Sequence, residues 1–421
     1  MKKFIFVFNI LLILSLMTFV GCSNNNTNNE TGNIIDTENT NNETGNIKGT
    51  EGIHYQKISG KEEYQVVDIG TASELDIVIP KEYNGLPITK IADYAFRNEK
   101  NIESVIISGN VITIGDWAFA NCNSLRRVEL KEGVEIVGDG CFSGCTRLSE
   151  IILAESLQKL ESTVFIDCTS LFNVVIPNTV EEIGGALFRG CYNLQSVTLP
   201  SALKTIPNGI FYECKNLQSI SLPTTVTSIG SSAFMYCSKL ESINISKNIT
   251  SLGEDIFYGC EKLESISVEE ENMHYKSIDG VLYNKNVSVV IHYPMNKKAT
   301  TYTMPNSVIE VFSNAFAGNR NITNLHLSNS LKRIEGEAFS RMQKVNELTI
   351  PQSVIVIGPG AFGNCQSLTR LNFEVSEGWA GYETEESVGY QTRYYHLDNP
   401  ESAATCFVCY ESNTGLWWKR T

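Results

Sequence analysis

The chain has 421 residues, with 47 acidic side chains against 33 basic ones and a formal charge of −14. That balance argues against a nucleic-acid partner, which needs a basic face, and against charge-driven docking on anionic membranes. Length alone suggests roughly two or three globular domains, but an internal repeat overrides it, because stacked repeats grow in one dimension.

The N-terminus reads as an export signal over residues 1–21. Lys2 and Lys3 precede an apolar run from Phe4 to Val20, slightly long for a signal core and short for a membrane span. Phe19-Val20-Gly21-Cys22 resembles the bacterial lipobox, with Phe19 where Leu is usual. The resemblance implies acylation of Cys22 and attachment to the membrane through that lipid alone. An uncleaved anchor and plain cleavage are the alternatives. Residues 22–52 are rich in Asn, Thr and Glu, and carry Asn-Asn-Glu-Thr-Gly-Asn-Ile at 28–34 and again at 41–47. They have too little apolar surface to pack, so a disordered tether is expected.

A phenylalanine then recurs every 23 residues: Phe96, Phe119, Phe142, Phe165, Phe188, Phe211, Phe234 and Phe257, and again Phe316, Phe339 and Phe362. A fixed period of this length means stacked supersecondary units that bury apolar positions against their neighbours. In the repeat 119–141, Val128 and Leu130 are apolar at strand spacing. Pro177, Pro200, Pro223 and Pro351 stop the strand in other repeats. Gly138 and its equivalents Gly115, Gly184, Gly230, Gly253 and Gly358 fit a tight turn. Each coil is expected to give one parallel strand, a return segment and a short helical or 3₁₀ turn carrying the Phe. The fold class is an α/β-type repeat solenoid.

The template Ala-Phe-x-x-Cys-x-x-Leu-x-x-Val-x-Leu-Pro-x-x-Val-x-x-Ile-Gly resembles the BspA-type leucine-rich repeat of bacterial surface and secreted proteins, over about residues 53–373. The resemblance implies a right-handed leucine-rich-repeat coil with strands on one face and the Phe turns opposite. The run Tyr275 to Tyr283 looks like an inserted hairpin-like coil, spanning about 269–304. Tyr83-Asn84-Gly85-Leu86-Pro87-Ile88 resembles an N-terminal cap, and residues 374–421, with Trp379, Trp417 and Trp418, look like an aromatic C-terminal cap or tail. The family implies adhesion or protein binding at the cell surface, to a host or neighbouring-cell protein that it does not specify.

Cys122, Cys145, Cys168, Cys191, Cys214, Cys237, Cys260 and Cys365 each follow a ladder Phe by three residues. Such a column reads as buried thiols used as small hydrophobes, since parallel Cβ vectors about 4.8 Å apart stand wider than a disulfide prefers. A column also cannot converge four ligands on zinc. Cys406 and Cys409 read as structural thiols or one local disulfide. No metal-ligand spacing links His54, His274, His292, His326 and His396, and no nucleophile elbow or phosphate loop is present. Neither an enzyme nor a cofactor is expected.

What remains is the outward side of the strands. The pairs flanking each central strand residue include Ser104/Ile106, Arg127/Glu129, Glu150/Ile152, Asn173/Val175, Ser196/Thr198, Ser219/Ser221 and Ser242/Asn244. They predict an apolar patch of Ile106, Ile152 and Val175 among charges, followed by a run of Ser, Thr and Asn. Docking of a partner protein is one reading of this face. The plain reading is that small hydroxyls suit a pleated surface. A structural envelope or spacer protein, and a glycan-binding accessory acting through the Trp-rich tail, are the alternatives.

Overall fold

The computed structural model describes residues 48–375, 379–382 and 417–420. Cys22, the signal segment, nearly all of the tether, Cys406 and Cys409 lie outside them. Within the described residues the chain winds in 23-residue coils, most of which contribute two parallel strands. The outer row contains Ser104–Ile107, Arg127–Leu130, Glu150–Ile152, Asn173–Val175, Ser196–Thr198, Ser242–Ile245 and Ser265–Val268. A second row of two-residue strands, among them Thr113–Ile114, Ile136–Val137 and Lys159–Leu160, occupies the segment that the sequence assigns to a plain return.

The ladder phenylalanines form the core. Those from Phe96 to Phe234 are fully buried. Their rings, with that of Phe257, stack coil on coil with centroids 4.8 to 6.0 Å apart, within the favourable range for offset aromatic pairs. The ladder resumes after the insertion at Tyr293, one coil earlier than the phenylalanine pattern shows. Tyr293 stands 23 residues before Phe316 and stacks on it at 4.9 Å.

The Phe-bearing turn is not helical, contrary to the sequence expectation: no helix occurs among the described residues. The reason is a left-handed residue two positions before and two after each ladder Phe, such as Tyr94 (φ 63°) and Asn98 (φ 67°), or Trp117 (φ 56°) and Asn121 (φ 60°). A helix cannot continue through them. Alternate amides therefore leave the coil. Phe96 N donates to Ala118 O at 2.7 Å and Phe119 N to Cys141 O at 2.8 Å, while Arg97 N turns back to Tyr94 O at 3.0 Å. The backbone polar groups are satisfied by the next coil rather than by a helix.

The column cysteines are buried free thiols. They are more than small hydrophobes: Cys122 Sγ donates to Phe96 O and Cys191 Sγ to Phe165 O, both at 3.1 Å, and the series repeats to Cys365 Sγ on Phe339 O. Burial pushes the Cys191 thiol well above its ordinary range, which keeps the donor protonated. Asn319 fills the same slot and donates its amide to Met295 O at 3.3 Å. Met342, buried in the same slot beside Phe339, has no donor, so the bond is common to the column but not required by it.

The inserted hairpin divides the core. Tyr275–Ile278 pairs antiparallel with Val281–Asn284, which pairs antiparallel with Val289–His292. Leu282 belongs to the apolar cluster on the N-terminal side, and Val281 and Tyr283 to the cluster on the other. At the C-terminal end, Trp417–Arg420 pairs antiparallel with both Trp379–Tyr382 and Val356–Ile357.

Candidate functional site

The outward strand face is built by alternation. In Arg127–Leu130, Val128 and Leu130 turn inward and are buried, which leaves Arg127 and Glu129 outward. The parallel register aligns Val78, Ile106, Glu129 and Ile152 in one outward row. Ile106 is only half-buried there and does not join Ile152 in one exposed patch, because Glu129 stands between them. Glu129 is tied to Arg127 Nη2 at 3.3 Å and to Lys131 Nζ, and Arg127 Nη1 reaches Glu150 Oε1 at 2.5 Å. Partial burial pushes the Glu129 carboxyl upward, but the Lys131 and Arg127 contacts outweigh it and hold it below its ordinary value.

The exposed apolar patch lies one coil further on. Val175 is 66% exposed and Ile152 40%, and Phe172, 45% exposed, immediately precedes the strand that carries Val175. Phe172 was legible in register: its slot holds Arg126, Ser149, Gln195, Gln218 and Glu241 in the neighbouring coils. The same place carries a break in the outer sheet. Glu150–Ile152 pairs with Arg127–Leu130, and Asn173–Val175 with Ser196–Thr198, but the two pairs belong to separate sheets. The second-row strands Lys159–Leu160 and Glu182–Ile183 stay paired beneath the break. Three large apolar side chains thus meet solvent where the outer ladder opens.

The Ser, Thr and Asn run continues the face but is partly self-satisfied. Ser196 Oγ donates to Asn173 Oδ1 at 2.6 Å, and Ser267 Oγ to Asn244 Oδ1 at 2.8 Å. Thr198, Ser242 and Asn244 are exposed on their strands. Ser219 and Ser221 are exposed too, yet the segment 217–222 forms no strand, contrary to the sequence expectation. Its inward residue Ile220 is only partly buried, so the segment lacks the packed anchor that seats Val197 and Ile243 in the coils beside it.

Among the described residues no three His, Cys, Asp or Glu side chains cluster as a metal site.

Comparison with known proteins agrees with this architecture. The profile of the "BspA type Leucine rich repeat region" matches in six copies over residues 89–206, 163–288 and 293–378, more than half of the chain. A leucine-rich cell-surface protein of Faecalibacterium prausnitzii superposes with a TM-score of 0.54 at 24% identity, covering 79% of this chain and 95% of that one. A leucine-rich-repeat protein of Bacteroides ovatus gives 0.53 at 25% identity, covering 78% and 88%. No curated protein matches the sequence. The chain belongs to the BspA-type leucine-rich-repeat family.

Proposed function

We propose that this is a cell-surface binding protein that docks a partner protein on its strand face, with Ile152, Phe172 and Val175 as the anchor. The observation that carries the reading is their exposure together on the outward strand face, beside the charged side chains of Arg127, Glu129 and Glu150. Exposed clustered apolar side chains rimmed by charges mark interaction sites. The family and the cell-surface description of the Faecalibacterium relative support export and protein binding. Replacing Ile152, Phe172 and Val175 together by Ser should weaken binding to surface proteins of neighbouring cells by more than about 2 kcal/mol, the scale of a hot spot. Thermal stability should stay nearly unchanged, because all three are exposed. Normal binding by the triple variant, with loss on truncation after residue 373, would move the site to the Trp-rich tail and favour a glycan ligand.

Attachment through Cys22 belongs to the same proposal. Cys22→Ser should release the protein from the membrane fraction into the soluble one, since acylation needs the thiol. Unchanged partitioning into detergent would show that the apolar run 4–20 itself is the anchor.

A further inference from the structure

The inter-coil backbone ladder fails at one joint. In each earlier coil the Phe amide donates to the carbonyl just before the next ladder residue, as Phe234 N does to Ile256 O at 3.1 Å. The series resumes with Tyr293 N on Ala315 O at 2.8 Å. The corresponding bond from Phe257 N to His292 O is missing among the described residues, and Asp255 N and Gly259 N likewise reach no carbonyl of the hairpin coil.

His292 stands in the slot immediately before a ladder aromatic. Ala118, Val164, Leu187, Ile210, Ile256 and Ala315 occupy that slot elsewhere and are all buried. Only here is it a histidine. Its Nε2 is buried with no hydrogen-bond partner, and so is Asn314 Oδ1. Both residues line a half-enclosed gap of about 20 Å³, with Asp255, Phe257 and Leu282. That volume admits about one water, too little to hydrate a charged imidazole. The gap also lies where the hairpin strand Val281–Asn284 parts the two apolar clusters. Asn314 Nδ2 spans it as a strut to Asp255 Oδ1 at 2.8 Å.

We propose that this joint is an acid-released link: protonating His292 puts an uncompensated charge in the gap and uncouples the turn 253–260 from the hairpin strands. The elements around it carry Glu254, Asp255, Tyr258 and Cys260 on the turn, Tyr283 on the hairpin strand, Tyr293 beside His292, and Glu310 on the strand Glu310–Val311. Asp255 is the one carboxylate lining the gap, and its Oδ1 is occupied by Asn314. Burial lowers the His292 pKa from 6.5 to about 4. A base whose pKa is depressed on folding leaves stability intact above the unfolded value and removes it as pH falls toward the folded one, here from 6.5 to about 4.

Amide hydrogen exchange on the full chain tests this without any variant. Between pH 7.5 and 4.5, corrected for intrinsic rates, protection in 253–260 and 289–296 should fall by tenfold or more, toward a ceiling of about a hundredfold set by the two-unit pH span below 6.5. Protection in 139–145 and 336–342 should hold. His292→Leu, which restores the apolar slot, should make the joint insensitive to pH. Unchanged or rising protection at the joint in the wild-type chain would overturn the proposal, the latter because it would mean an ion pair with Asp255. A loss spread over all coils, or one that persists in His292→Leu, would overturn it equally.

Discussion

Phe188→Ala is expected to cost about 3–5 kcal/mol, the range for emptying an aromatic site in a packed core. Phe188 is fully buried, and its ring lies 5.5 Å from Phe165 and 5.8 Å from Phe211. Its carbonyl accepts both Cys191 N at 3.0 Å and Cys214 Sγ at 3.2 Å. The cavity therefore opens between two stacked rings and disturbs a hydrogen-bonded column at the same point. A repeat coil touches only its neighbours, so the loss should stay local and split the urea transition in two. Phe188→Leu, which keeps most of the volume, should cost less than half as much. A cost below about 1 kcal/mol for Phe188→Ala would mean that the ladder does not carry the core.

The repeat itself was readable because burial forces it. Phe119 or Cys145 can occur at its slot only if the coil around it is equivalent to the last, so period, core column and thiol column follow from spacing alone. The Phe turn was not readable as non-helical. Many of its left-handed positions are Gly, Asn or Asp, such as Asn98, Gly140 and Asp167, but others are held by Tyr94, Trp117, Thr163, Ala186 and Glu337, whose types carry no turn signal and blur the pattern. The neighbouring coil imposes that conformation through bonds such as Trp117 N to Asp139 O at 2.7 Å. Tyr293 was hidden for another reason. The hairpin displaces it 36 residues from Phe257, and a Tyr interrupts the Phe pattern. On the candidate face, Val175 and Ile152 were visible from alternation. The charged wedge of Arg127, Glu129 and Lys131 that separates them from Ile106 was also present in the sequence, but its effect depends on lateral register between coils. Ser219–Ser221 differs from its paired neighbours in how deeply Ile220 seats, and a sequence does not record that depth.

Gly184→Val should destabilise the chain by about 3 kcal/mol, at the upper end of overpacking penalties. A Cβ there would stand 2.3 Å from Ser162 N, 2.5 Å from Glu161 C and 2.6 Å from Ser162 Cα, all backbone atoms of the preceding coil. No side-chain rotation relieves such contacts, so the coils must part. They would part at the inter-coil bond from Gly184 N to Leu160 O, now 2.8 Å. Gly185→Val is the control: a Cβ at that position meets nothing closer than Asn208 O at 3.3 Å. It should cost less than half as much, because one contact at that distance needs only a small shift of the neighbouring coil. Equal costs at the two positions would show that backbone contact at Gly184 does not set the coil spacing. The comparison also bears on the docking face. The second-row pairing of Lys159–Leu160 with Glu182–Ile183 holds these two coils together beneath the break in the outer sheet. Gly184→Val should therefore loosen the relative placement of Ile152 and Val175 and weaken partner binding, although Gly184 lies off that face. Gly185→Val should leave binding as it is.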